Sequence, residues 1–213
     1  MNLPANRVAV KICGVTRAED AIGAVEAGAD VLGFNTWPGT KRFINLEDNA
    51  SWIAPLPVLK IALLVNATEA EVHRVADLPF IDALQFHGHE DADFCRRAAL
   101  RGKPIIKALR AGSSAALAGA DTFGTDHLLL DAHVPGAFGG TGARIDLDLA
   151  REFQARFPAL HLWLAGGLRP ENVADAVRSV WPQVVDVSSG VEVEPGRKDA
   201  AKMRAFVDAV RGA

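Results

Sequence analysis

Apolar, β-branched-rich runs recur down this chain at a steady interval. They are VAVKIC (8–13), DVLGF (30–34), VLKIALLV (58–65), IDALQF (81–86), PIIKAL (104–109), HLLLD (127–131), LHLWLAG (160–166) and VVDVSS (184–189). Most are apolar on successive positions rather than alternating, the pattern of a strand buried on both faces. Between them lie segments whose apolar residues recur every three or four positions. Residues 17–27 place Ala21, Ile22 and Val25 on one side, 69–76 place Val72, Val75 and Ala76, and 91–100 place Phe94, Cys95, Ala98 and Ala99. Residues 170–179 open with Pro170 as a first helical residue and present Val173, Ala176 and Val177. Residues 199–211 carry Met203, Phe206, Val207 and Val210 on one stripe, and 46–53, 113–117 and 146–157 give weaker helical signals.

Strand and helix therefore alternate, with no composition shift and no long linker. That order predicts one domain over 1–213, built on a parallel sheet with crossover helices. Strand starts lie 22 to 33 residues apart, so about eight units fit. The expected fold is an α/β (β/α)8 TIM barrel, with a doubly wound open sheet as the alternative.

Composition mainly excludes. The chain has 213 residues, with 23 Lys plus Arg against 26 Asp plus Glu for a net charge of −3, and it is 49% hydrophobic. That apolar fraction is too high for global disorder. No basic excess points to nucleic acid or an anionic membrane surface. No apolar run approaches the ~20 residues of a membrane span, and residues 1–11 lack the apolar core of a secretory signal. With only Cys13 and Cys95, no disulfide framework is expected, and a reduced cytoplasmic setting is the simpler reading.

In a barrel the chemistry sits where strands end and βα loops begin. Glycine-rich turns stand at 139–142, at Gly166-Gly167 and at Ser188-Ser189-Gly190. Such turns let backbone amides approach an anion closely, and the last two fall after strands seven and eight, where barrels often hold phosphate. Gly140, Gly142, Gly166, Gly167, Ser188, Ser189 and Gly190 are thus candidate phosphate contacts, the plainer alternative being chain reversal. Cys13 ends strand one, either as base or nucleophile or as a small buried hydrophobe. Asp131 ends an apolar strand, where an unpaired carboxylate is costly, so it is read as a general acid, with a cap or ion pair as the alternative. Gln85 and His87 end strand four and are candidate substrate contacts. His87, His89 and Asp91 find no third ligand on another strand, so no metal is assigned. Nor does a dinucleotide or P-loop glycine pattern occur. Arg42, after Lys41 in the second loop, suits a substrate carboxylate or a solvated surface.

The motifs KICG (11–14), Gly33-Phe34, LQFHG (84–88), LLLDA (128–132), GGTG (139–142), LAGGLRPENV (164–173) and VDVSSGVEVEPGRKD (185–199) run in the order of one family. The chain resembles the phosphoribosylanthranilate isomerases of tryptophan biosynthesis over nearly its whole length. The resemblance implies a cofactor-free (β/α)8 barrel that performs an Amadori rearrangement of N-(5-phospho-ribosyl)anthranilate. It implies that Cys13 is the general base, Asp131 the general acid and Arg42 the holder of the anthranilate carboxylate, with the glycine and serine turns gripping phosphate. Residues 35–41 depart from the family's usual segment before that arginine. Other readings are a metal-dependent pentose-phosphate epimerase, whose His and Asp strand two lacks, and a barrel that binds a phosphorylated ligand without catalysis. The expected partner is a small phosphorylated molecule, with no nucleic acid and no membrane, and a monomer is favoured over a homodimer.

Overall fold

The eight apolar runs form eight parallel strands that close on themselves in sequence order, the first pairing with the last. The computed structural model describes residues 1–132 and 144–213. The 139–142 turn, with Gly140 and Gly142, lies outside the described residues. The strands are β1 Ala9–Cys13, β2 Val31–Asn35, β3 Leu59–Leu64, β4 Ala83–Phe86, β5 Ile105–Ala111, β6 His127–Ala132, β7 His161–Leu164 and β8 Val184–Val187. The order is that of a (β/α)8 barrel and not of an open doubly wound sheet.

Helices α1 Ala18–Ala27, α2 Ala50–Ile53, α3 Glu69–Ala76, α4 Ala92–Ala99, α5 Leu147–Arg156, α6 Val173–Val180 and α7 Ala200–Arg211 wrap the strands. Their starts follow from capping chemistry. Thr68 and Glu71 form a reciprocal capping box on α3, while Asp91, Asp146 and Asp199 each accept a backbone N–H at the first turn of α4, α5 and α7. Two segments differ from the pattern. The helix expected at Pro170 begins at Val173, because the Asn172 side chain accepts from Arg169 N–H and donates to Gly167 O, tying those residues into a turn. After β5 the chain makes two short 3₁₀ turns, Ser114–Leu117 and Ala120–Thr122, in place of an α-helix. Leu117 and Ala120 still fill the outer layer.

Alternate strand residues divide the core. Inward-facing Ala9, Val31, Ile61, Ala83, Ile106, Leu129, Trp163 and Val184 plug the barrel's lower half. The outward set, including Ile12, Leu32, Phe34, Leu84, Leu128 and Val185, packs against the helices. Beyond this apolar plug, Lys11, Gln85, Asp131 and Asp186 gather as polar inward groups toward the carboxyl end of the strands. After β8 a small antiparallel hairpin, β9 Glu192–Glu194 and β10 Arg197–Lys198, folds over that end. Among the described residues, no helix is long and apolar enough to cross a membrane.

At the opposite end, His127 is buried, stacked on His161, and accepts a hydrogen bond from Trp163 Nε1 at 3.3 Å. Burial drives its pKa down to about 4; Asp126 opposes this and His161 adds to it. The unfolded chain therefore binds this proton more readily than the folded one. Stability is predicted to fall as pH drops below the ordinary histidine value of 6.5, with the loss complete near 4. Thermal unfolding of wild type and His127→Gln across pH 4 to 7 checks this: the variant's melting temperature should decline less steeply, and parallel profiles would refute it.

Candidate active site

The inward-facing polar groups begin with Lys11 on β1, which has no exposed surface. Its ammonium donates to Asp186 Oδ2 on β8 at 2.7 Å and to Gln85 Oε1 on β4 at 2.6 Å. The β1–β8 register places Lys11 directly beside Asp186. Burial alone would lower the lysine's pKa, but Asp186 and Cys13 outweigh it and raise the value, so Lys11 is a buried cation. Asp186 Oδ1 is buried without a hydrogen-bond partner among the described residues.

Cys13 lies one turn of the pleat above Lys11, against Leu63, Val65 and Trp37. Space for both side chains comes from Gly33 on β2. A Cβ there would fall 2.8 Å from Cys13 Sγ and 3.0 Å from Lys11 Cε. Burial pushes the Cys13 thiol up; Lys11 and Lys198 pull it back, and Asp186 adds to the rise. Cys95, buried on the inner face of α4, is pushed up to about 11 mainly by burial.

Asp131 near the end of β6 is buried. Its Oδ1 accepts from Ala132 N–H at 2.9 Å, and its Oδ2 lies 3.2 Å from His87 Nε2. His87 Nδ1 is 3.0 Å from Gln85 Nε2. Gly166 after β7 permits this arrangement. It holds φ +94°, and a Cβ would fall 2.7 Å from Ala132 N and 3.2 Å from Asp131 Oδ1. His87 thus spends both ring nitrogens inside the barrel, while Asp91 caps α4. The two do not converge.

Arg42, in the loop after β2, reaches across to the hairpin. Its Nε and Nη2 donate to Glu192 Oε1 and Oε2 at 2.8 and 2.6 Å, a side-on fork that leaves Nη1 for another partner. Glu192 also accepts from buried Lys198 at 2.8 Å, and Lys198 donates to Cys13 O at 2.6 Å. Burial would raise the Glu192 carboxyl, but Arg42 and Lys198 hold it below its usual range. Burial lowers Lys198 despite Glu192. These contacts tie the second loop, the end of β1 and the hairpin together.

On the other side of β8, Gly167, Leu168, Arg169, Glu171, Ser189, Gly190 and Lys202 line a cavity of about 380 Å³. Lys202 donates to Glu192 O at 2.8 Å, which links this cavity to the hairpin. Sequence reasoning pointed to the glycines and serines here. It passed over Arg169 and Lys202, whose charges read as ordinary helix and loop surface until the fold brought them to the turns. It also passed over Asp186, although a carboxylate within VVDV carries the same signal as Asp131 within LLLDA.

The chain matches the family described as N-(5'phosphoribosyl)anthranilate (PRA) isomerase over residues 10–209. It is 46% identical over 205 residues to N-(5'-phosphoribosyl)anthranilate isomerase of Pseudomonas fluorescens, covering 94% of this chain and 97% of that one. The enzyme of the same name from Geobacter sulfurreducens is 43% identical over 207 residues, covering 96% of this chain and 99% of the relative. Among solved structures, phosphoribosyl anthranilate isomerase from Thermotoga maritima superimposes with a TM-score of 0.87 at 37% identity, covering 97% of this chain and 100% of that one. A phosphoribosyl anthranilate isomerase in complex with reduced 1-(o-carboxyphenylamino)-1-deoxyribulose 5-phosphate superimposes with a TM-score of 0.82 at 34% identity, again covering 97% and 100%. Cys13 and Asp131 at the carboxyl ends of β1 and β6, Arg42 in the loop after β2 and a glycine-lined cavity after β7 and β8 accord with these likenesses, and the chain belongs to the N-(5'-phosphoribosyl)anthranilate isomerase family.

Proposed function

We propose that the chain isomerises N-(5-phospho-ribosyl)anthranilate to 1-(2-carboxyphenylamino)-1-deoxyribulose 5-phosphate, the third pathway-specific step of tryptophan biosynthesis, with Asp131 as acid and Cys13 as base. One observation carries the reading. A thiol and a carboxyl stand at the carboxyl ends of β1 and β6 of one barrel, with Arg42 in the loop after β2 and a cavity of about 380 Å³ bordered by the turns after β7 and β8.

The substrate has an anion at each end. Its phosphate suits the cavity bordered by Gly167, Ser189 and Gly190, with Gly166 and Ser188 shaping the turns and Arg169 and Lys202 supplying charge. Its carboxylate suits Arg42 Nη1, and its benzene ring suits the apolar wall of Trp37, Leu63 and Val65 beside Cys13. His87 borders the sugar through its contact with Asp131. Two fixed ends leave the sugar between acid and base, which removes orientational freedom before reaction.

Asp131 gives a proton to the ring oxygen as the C1–O bond breaks. The anilino nitrogen's electron pair forms C=N⁺, which acidifies the hydrogen on C2. The Cys13 thiolate takes that proton, and the resulting enolamine tautomerises to the ketone. Substrate and product are isomers, C1 being reduced as C2 is oxidised, and exchange with solvent returns the proton Asp131 has lost and removes the one Cys13 has gained. A thiol pushed up by burial gives a scarcer thiolate but a stronger base.

Loss of substrate fluorescence in wild type and variants tests the assignment. Cys13→Ser and Asp131→Asn should each lower kcat by about 10²–10⁴-fold while still binding a product analogue. Arg42→Ala should mainly raise KM, by about 10- to 100-fold, the worth of a charged hydrogen bond. An inactive wild type would overturn the function; active Cys13 and Asp131 variants would overturn the mechanism. Alkylation by iodoacetamide, followed by mass spectrometry, checks the thiol separately: the Cys13 rate should keep climbing beyond the ordinary thiol pKa of 9.0, and a plateau well below that value would contradict its raised pKa.

A further inference from the structure

The hydrogen bonds inside the barrel form a directed chain, and their direction follows from the first member. The Lys11 ammonium carries only donors. The Gln85 atom 2.6 Å from it must therefore be the amide oxygen, which fixes the amide's orientation. The other end of that amide, the NH₂ group, then faces His87 Nδ1 at 3.0 Å and donates to it. An Nδ1 that accepts carries no hydrogen, so the hydrogen of a neutral His87 sits on Nε2, 3.2 Å from Asp131 Oδ2.

We infer that Gln85 is a positioning residue, not a substrate contact: fastened by Lys11, it locks His87 as the Nε2–H tautomer, so that His87 donates to Asp131 and cannot take its proton. The alternative tautomer would point a nitrogen lone pair at the Asp131 carboxyl and accept the proton meant for substrate. The locked tautomer instead stabilises the carboxylate left when Asp131 has given its proton to the ring oxygen. Ala132 N–H, donating to the other oxygen, acts in the same sense. Gln85 suits the task because it is wholly buried and both ends of its amide are engaged within the barrel. The consequence for catalysis rests on the proposed function; the tautomer itself does not.

The test uses enzyme labelled with ¹⁵N-histidine and long-range ¹H–¹⁵N correlation spectra, with the His87 signals assigned by their loss in His87→Asn. In wild type without substrate, Nδ1 should resonate as an unprotonated, pyridine-like nitrogen and Nε2 as a protonated one. In Gln85→Glu the new carboxylate still pairs with Lys11 but can only accept from the ring, so Nδ1 should become protonated. In the same variant kcat should fall at least about tenfold with KM changed less than about threefold, the pattern of a lost transition-state interaction. Gln85→Leu, if folded by circular dichroism, should release the preference for one tautomer. A protonated Nδ1 in wild type overturns the inference whether or not the enzyme is active. So does a Gln85→Glu enzyme with unchanged His87 spectra or unchanged kcat. A locked His87 in a protein inactive toward this substrate would uphold the tautomer and fault the functional reading instead.

Discussion

A lysine without exposed surface stands inside the barrel, and its hydrogens have to be satisfied there. An unpaired buried ammonium costs several kcal/mol or more, so the neighbours of Lys11 are constrained as a group. Asp186 has to stand beside it across the β1–β8 seam that closes the barrel, and Gln85 has to turn its oxygen toward it. Gly33 has to lack a side chain so that Lys11 and Cys13 both fit. The same cation draws the Cys13 thiol back toward ionisation against the pull of burial. One charge thus helps close the fold, acts on the Cys13 thiol, and through Gln85 and His87 reaches Asp131 on β6.

A second buried cation plays the corresponding part at the rim. Lys198 fastens the carbonyl of Cys13 and the carboxylate of Glu192, and Glu192 holds Arg42 by one edge. The hairpin is short and exposed along much of its length, so apolar packing alone does not place it. Its charges do. The second loop is held both by its own turn, where Arg42 N–H donates to Thr40 Oγ1, and by the hairpin just across β1, so Arg42 keeps its place although residues 35–41 depart from the family's usual sequence.

The fold was largely legible because its signal is physical and repeated. Strands buried on both faces must be continuously apolar, and all eight runs became strands, with ends shifted by a few residues. Helix starts were legible where a side chain caps them, as at Thr68 and Asp199, and misjudged at Pro170, where Asn172 closes a turn first. The segment after β5 carries a helical composition yet forms 3₁₀ turns, a tertiary outcome that local pattern does not encode. Cys13, Asp131 and the turns at Gly166-Gly167 and Ser188-Ser189-Gly190 stood out as candidates because reactive or flexible residues at strand ends do so. Gln85 was picked out as a substrate contact and Asp186 was passed over, and neither could be paired with Lys11 from sequence. Asp186 and Gln85 lie 175 and 74 residues away, and only the closed ring brings them together. Glu192, Arg169 and Lys202 were hidden for the opposite reason: a charge in a loop or first helical turn usually faces water.

The central claim is a division of labour, with Asp131 opening the sugar ring and Cys13 then taking the C2 proton. Substrate deuterated at C2 separates the two steps directly. In Cys13→Ser, proton removal should become rate-limiting and the full primary isotope effect on kcat should be expressed. In Asp131→Asn, ring opening should limit the rate and the effect should shrink toward unity. Equal isotope effects in the two variants, or the larger one in Asp131→Asn, would contradict the account.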